Sequence, residues 1–252
     1  MQSIINVTNL VKDYGSLRAV DGISFDVMEG EIFGLLGPNG AGKTTTLEII
    51  ETLREPTAGS VKVCGYDIRQ SADHIKQQIG VQLQAAGYYP SLTLTELIRL
   101  FSGLYNRDVD PMEILQKVAL VDKAKAKYKE LSGGQKQRFS IATTLINQPR
   151  VVFLDEPTTG LDPQARRNLW DLIRDIRSKG TTVVITTHYM DEAEQLCDRV
   201  AIVEKGKIIA IDSPDALIDR LVATGFERPK EMKKANLEDV FLNLTGREWR
   251  DE

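Results

Sequence analysis

The sequence predicts an α/β fold built on a mostly parallel sheet, and three observations carry that expectation. A glycine-rich turn, Gly37-Pro38-Asn39-Gly40-Ala41-Gly42-Lys43-Thr44, lies between an apolar strand-like run and a helix-like run. Further on, Val151-Val152-Phe153-Leu154 and Thr182-Val183-Val184-Ile185-Thr186 read as buried strands on either side of a helical stretch. Between these two blocks, residues 110–148 carry a helical pattern throughout.

The elements follow in chain order. Residues 4–10, 24–27 and 32–36 read as short strands, with turn signals at Asp13-Tyr14-Gly15 and Glu29-Gly30. Tyr14 falls in a polar turn, which leaves two readings open: half-buried packing, or a platform on which a nucleotide base stacks. Residues 45–53 read as a helix with Leu47, Ile50 and Leu53 on one face. Glu55-Pro56-Thr57-Ala58-Gly59 is a turn, Val61-Lys62-Val63 a strand, Gly65-Tyr66-Asp67 a turn, and residues 79–84 a strand. Thr93-Leu94-Thr95-Glu96 is a capping box, followed at helical spacing by Leu97, Ile98, Phe101 and Tyr105. Leu100 and Leu104 add a second apolar face, suited either to packing inside a subdomain or to docking a partner. Pro111 suits a helix start, and Leu131-Ser132-Gly133-Gly134-Gln135 interrupts before a helix bearing Phe139, Ala142, Thr143 and Ile146. Asp162-Pro163 caps the next helix, with Leu169, Leu172, Ile173 and Ile176 inward and Gly180 at its end. Residues 200–203 and 207–210 frame a hairpin turn at Glu204-Lys205-Gly206. Residues 213–252 are polar and helical, with a gap near 225–234 and an apolar stripe of Leu237, Val240, Phe241 and Leu244.

Composition narrows the function. At 252 residues with 42% hydrophobic content the chain can bury one large domain, and a net charge of −4 gives no bulk attraction to nucleic acid or anionic membrane. The lysines at 123, 125, 127 and 129 read as solvated surface, so no nucleic-acid partner is expected. Two cysteines, Cys64 and Cys197, without CxxC spacing point to a reducing compartment. No signal peptide opens the chain and no apolar run approaches the ~18 residues of a membrane span, so the protein is expected to be soluble by itself.

Chemistry concentrates at strand ends. Glycines let the backbone of residues 37–44 curl so that several N–H groups meet one phosphate, at the positive end of a helix. Lys43 supplies a charge for the outer phosphates and Thr44 a hydroxyl for magnesium. Ligands of open α/β sheets sit beyond the carboxyl ends of the strands, where Asp155, Glu156 and His188 also fall. Asp155 suits magnesium, and Glu156 suits polarisation of an attacking water, its alternative being a solvated strand end. His188 suits a contact with the outer phosphate or the water, its alternative being a structural histidine. Ser132 with two bare glycines before a helix is a second anion site, and more than a cap requires.

In that order, the phosphate loop, Gln84, Leu131-Ser132-Gly133-Gly134-Gln135, Leu154-Asp155-Glu156, Gly160-Leu161-Asp162 and His188 resemble the nucleotide-binding subunit of an ABC transporter, over residues 4–230. The resemblance implies a P-loop NTPase core with a mostly parallel sheet, an N-terminal antiparallel β-subdomain and an inserted helical subdomain near 86–148, then a helical extension over 231–252. It implies an ATPase that uses ATP and Mg2+, the nucleotide held by Tyr14, the loop from Gly37 to Thr44 and the adjoining Thr45. Leu131, Ser132, Gly133, Gly134 and Gln135 grip the γ-phosphate on a second copy, or on a homologous subunit, facing head to tail. Glu156 is then the general base, Gln84 the loop glutamine reaching magnesium and water, Asp162 part of the loop linking two sites, and His188 the switch histidine. Residues 86–106 correspond to the surface that meets transmembrane permease subunits, at the cytoplasmic face of the cell membrane. Residues 187–194 and 237–241 are similar to ATPases of ABC-2 type exporters, although that group often carries Tyr-Ser-Gly-Gly-Met where this chain has Leu131-Ser132-Gly133-Gly134-Gln135. The alternative class is a soluble mechanical or regulatory ABC-type ATPase. Sustained heptads are missing between Lys43 and Ser132, and Glu156, Gln84 and His188 are all present, which argues against both forms.

Overall fold

Apolar alternation begins the chain as a long hairpin. β1 (Ser3–Tyr14) and β2 (Leu17–Met28) pair antiparallel, closing at Tyr14 opposite Leu17. The expected strands were too short here, and Tyr14 ends a strand instead of occupying the turn. A register shift between Val7 and Leu10, with Asn9 at φ 47°, lets both apolar side chains face inward despite their odd spacing. The computed structural model describes residues 2–83 and 87–226.

β3 (Ile32–Leu36) is wholly buried and feeds the glycine-rich turn, after which α1 runs over Lys43–Ile50. Leu47 and Ile50 are buried as expected, but Leu53 lies past the helix and is exposed, because Thr52 turns to φ 64°. β4 (Ala58–Val63) pairs with β1, and β5 (Tyr66–Asp67) pairs with β4, so Tyr66 and Asp67 are strand where a turn was expected. Backbone pairing with a neighbour overrides turn composition in so short a piece. These strands form one antiparallel sheet in the order β2-β1-β4-β5.

After α2 (Ala72–Lys76) and β6 (Ile79–Gln82) the chain becomes helical. α3 spans Leu94–Leu104 with the predicted Thr93 and Glu96 capping box in place, and α4 (Pro111–Lys117) starts at Pro111 behind an Asp110 cap. Residues 110–148 are not helical throughout. Two single 3-10 turns, Val121–Lys123 and Tyr128–Glu130, separate α4 from α5 (Gly133–Thr144), because Ala119 at φ 52° and the extended Leu131 break the helical path.

The second sheet then closes. β7 (Val151–Asp155), α6 (Pro163–Ser178), β8 (Thr182–Thr187), α7 (Met190–Leu196), β9 (Arg199–Glu204) and β10 (Lys207–Asp212) follow, and α8 covers Pro214–Ala223. The strand order is β10-β9-β3-β8-β7-β6, parallel except for the predicted β9/β10 hairpin. Along β7, Val151 and Phe153 join one core with α1 and the antiparallel sheet, while Val152 and Leu154 join the other with α3, α5 and α6. The chain divides into two compact units, Met1–Leu217 and Ile218–Glu252. The stripe expected at 237–244 lies outside the described residues.

Candidate active site

Parallel register brings three strand ends to one rim: Leu36 lies opposite Thr187, and Asp155 opposite Thr186. The turn after β3 is held there from several sides. Gly37 N–H donates to Thr187 O at 3.2 Å, and Ala41 O accepts from Gly206 N–H at 2.9 Å. Gly42 adopts φ 101°, and a Cβ at that position would lie 2.4 Å from Ala19 O of β2. Only glycine fits. The turn therefore owes its shape to β2 and the β9/β10 hairpin as much as to its own residues.

Lys43 is buried and its Nζ donates to Gly37 O at 2.8 Å and Pro38 O at 3.1 Å, while lying 3.6 Å from Glu156 Oε1. Thr44 Oγ1 donates toward both Asp155 oxygens at 3.2 Å, and Thr186 Oγ1 donates to Asp155 Oδ1. Burial pushes the Asp155 carboxyl above its ordinary range; the Thr186 and Thr44 hydroxyls pull against that, Glu156 raises it further and Lys43 lowers it. Glu156 sits at φ 47°, with its N–H donating to Thr186 O at 3.2 Å and Thr186 Oγ1 at 3.0 Å. A left-handed turn at a non-glycine residue directs its carboxylate away from the strand course, a strain of about 1–3 kcal/mol that clusters at functional sites. His188 Nδ1 is 3.2 Å from Glu156 Oε2, out of line for a hydrogen bond.

These residues border a cavity of about 440 Å³ lined by Tyr14, Ala19, Asn39, Gly40, Gly42, Lys43, Thr44, Thr45 and Glu156, with Leu17 at its edge. Tyr14 is 39% exposed there, with Lys12 Nζ 5.2 Å and the Arg54 guanidinium 5.4 Å from its ring centre. None of residues 131–135 lines this cavity. Ser132 caps α5 by accepting from Gln135 N–H at 3.3 Å, and Gln135 Oε1 accepts from Ser132 N–H at 3.0 Å, beside the buried Leu131. Gly134 has a packing reason to be glycine, since a Cβ there would lie 3.2 Å from Ala165 Cβ, but a Cβ on Gly133 would meet open space. Asp162 Oδ1 accepts from Ala165 N–H at 2.8 Å and caps α6. Gln84 lies outside the described residues.

Sequence reading missed several neighbours. Glu51, at the end of α1, is buried with its Oε1 unpaired, and burial aided by Asp155 and Glu48 pushes its pKa to about 8. Its spacing of four from Leu47, on the apolar face, was the available signal. Thr186, Ala19 and Gly206 gave no signal, since each acts through a contact distant in sequence.

A glycine-rich turn with a lysine and a hydroxyl, facing acids on the carboxyl rim of a parallel sheet, defines a nucleoside-triphosphate-binding protein of the P-loop class. Comparison narrows the class. The ABC transporter family model matches residues 20–159. The Nod factor export ATP-binding protein I of Burkholderia orbicola (strain AU 1054) is 38% identical, with 98% of each chain covered. That of Cupriavidus metallidurans (strain ATCC 43123 / DSM 2839 / NBRC 102507 / CH34) is 35% identical, with 100% of each covered. Among solved structures, an ATP-binding cassette of an ABC transporter in its ADP conformation superposes with TM-score 0.78 at 25% identity, covering 88% of this chain and 96% of that one. A dimeric cassette in a post-hydrolysis state bound to ADP and Pi gives TM-score 0.74 at 28% identity, covering 83% and 98%. The chain belongs to the ABC transporter family, as an ATP-binding subunit with ATPase activity.

Proposed function

We propose that two copies of this subunit, or one copy and a homologous subunit, close head to tail on ATP and drive export through separate transmembrane subunits. The observation that carries this is the serine-glycine turn, and Gly133 within it. Ser132 and Gly133 open a 12-residue helix, Gly133 has no packing reason to be glycine, and none of this turn lines its own chain's phosphate cavity. A second chain's γ-phosphate supplies the missing partner.

Within one site, Lys43 neutralises the outer phosphates, the loop N–H groups from Gly37 to Thr45 cradle them, and Tyr14 stacks on the base. Glu156 takes the proton of the attacking water, and His188 beside it orients that water against the γ-phosphate. The Lys43 ammonium lies 3.6 Å from Glu156 Oε1, so the base and the phosphate-binding charge border one space. Thr44 and Asp155, oxygen donors already facing one another, suit Mg2+, with Gln84 as a further ligand. Burial that raises Asp155 is relieved by a cation beside it, and bound Mg2+ supplies charge neutralisation to the phosphates. Asp162 links the two sites across the interface.

The cassette covers residues 4–230, with a helical subdomain inserted near 86–148; the extension expected at 231–252 lies outside the described residues. Leu100, Leu104, Tyr89 and Tyr105 are exposed on that subdomain and form the permease-facing surface. No helix among the described residues is long and apolar enough to cross a membrane, so the cytoplasmic-face location comes through the permease. Export is supported by the names of the curated relatives. The test is a disulfide between Ser132→Cys on one molecule and Gly40→Cys on another, with Cys64 and Cys197 replaced. ATP is expected to promote the bond in a Glu156→Gln background. Failure to crosslink with ATP bound rejects the head-to-tail dimer, and recovery from detergent-solubilised membranes without a polytopic partner rejects the transport role.

A further inference from the structure

Behind His188 lies a group of polar and aromatic side chains from α6 and the start of α7. The Tyr189 ring lies 4.1 Å from the His188 ring, and the Arg166 guanidinium lies 4.5 Å above the other ring partner, Tyr189. Arg166 comes from the first turns of α6, immediately after Asp162. Its Nη1 donates to Asp191 Oδ2 at 3.2 Å, and its Nε is buried with no hydrogen-bond partner. A buried, unmatched N–H on a side chain with so many donors requires an explanation. The guanidinium is aligned on the ring face at the expense of that hydrogen bond. One turn further along α6, Trp170 Nε1 donates to Glu192 Oε1 at 3.1 Å, and Glu192 is wholly buried. Residues four apart on a helix share a face, so Arg166 and Trp170 together grip Tyr189, Asp191 and Glu192. Tyr189 N–H donates to Thr187 Oγ1 at 3.0 Å, which fixes the backbone on the other side of His188.

We infer that Arg166 is a positioning residue that, through Tyr189, sets the orientation of His188 and ties it to the first turn of α6 behind Asp162. This rests on the reading of His188 given above. The Tyr189 ring touches both groups, tilted 38° to the imidazole and covered by the guanidinium, so a displacement of α6 that moves Arg166 reaches the imidazole through that ring. Strain or relief at Asp162, which that reading places between two nucleotide sites, then reaches His188 of the same chain through one guanidinium and one phenol ring. The arrangement also gives a physical reason for the run Tyr189-Met190-Asp191-Glu192: the tyrosine is the coupling ring, the aspartate holds Arg166, and the glutamate anchors Trp170. Met190 is exposed and takes no part.

The test measures ATP turnover and the His188 imidazole signals in the full chain. Because the sequence has two histidines, a His74→Gln background leaves His188 alone in the imidazole region of a proton NMR spectrum. Arg166→Gln is expected to lower kcat by about 10- to 100-fold, the scale of a misplaced catalytic group, while KM for ATP stays within about twofold. Arg166→Lys keeps the charge without the planar stack and is expected to rescue only part of that loss. Tyr189→Phe, which retains the ring, is expected to keep most of the turnover that Tyr189→Leu loses. In a His188→Ala background, Arg166→Gln is expected to cost no more than about a further twofold, since both changes act on one group. The His188 ring protons are expected to shift in Arg166→Gln and Tyr189→Leu, because the neighbouring ring current changes. Full kcat in Arg166→Gln, a loss that multiplies with that of His188→Ala, or unmoved His188 signals would each overturn the inference. Should His188→Ala itself retain full turnover, the role given to His188 falls, and the imidazole signals still decide whether Arg166 orients it.

Discussion

Lys43 Nζ and Glu156 Oε1 lie buried 3.6 Å apart, and a buried pair of this kind recovers little stability beyond its desolvation cost, so the proposed roles of both residues are tested by turnover. Lys43→Ala is expected to abolish steady-state phosphate release and to weaken ATP binding. Glu156→Gln is expected to keep ATP binding and lower turnover by about 10²- to 10⁴-fold, the usual range for a general base; unchanged turnover in either variant removes the assigned role. Glu51 is the other residue whose chemistry departs from its surface counterpart. Its folded pKa of about 8 lies above the ordinary carboxylate value of 4.5, so the folded state holds a proton that the unfolded state has released. Stability consequently falls as pH rises from about 4.5 to about 8, and levels off above that. Glu51→Gln, neutral at every pH, is expected to raise the thermal midpoint near pH 8 by more than near pH 5. An equal effect at both pH values would show that Glu51 is ionised in the fold.

Among the elements, caps carry the sequence-to-structure link most directly. Thr93, Asp110, Ser132 and Asp162 each accept a backbone N–H at a helix start. Thr93→Ala is expected to cost about 1 kcal/mol in urea unfolding with ATP turnover within about twofold of the parent, since that cap lies away from the nucleotide. The phosphate loop is a different case, because its conformation is enforced by β2. Gly42→Ala would meet Ala19 O and require φ 101° of an alanine. A loss of at least about 1–3 kcal/mol is expected, together with loss of ATP affinity by calorimetry. Retained affinity would mean that the loop relaxes independently of β2.

At the scale of the whole molecule, two sheets meet over α1 and leave one rim where β3, β7 and β8 end. Binding at that rim is linked to folding. ATP with Mg2+ at 100 times its dissociation constant is expected to stabilise the chain by about 2.7 kcal/mol, read as a rise in thermal midpoint. Lys43→Ala is expected to lose that rise, and chelation of Mg2+ to abolish turnover. A full ATP-dependent rise in Lys43→Ala would place the nucleotide elsewhere.

The sequence by itself determined the order of strands and helices around the phosphate loop, the Asp155 and Glu156 strand end, the Thr93 and Asp162 caps and the β9/β10 hairpin. Each is encoded within a few neighbouring residues, as glycine spacing, an apolar run ending in acids, or an oxygen side chain before a helix. Only the tertiary structure decided that Tyr14 ends a strand bordering the cavity, that Ala19 and Gly206 shape the loop, that Thr186 holds Asp155, and that Arg166 and Tyr189 stand behind His188. Those contacts join residues from about 20 to more than 160 positions apart in the chain, so sheet register and helix packing had to bring them together before any local pattern carried their meaning.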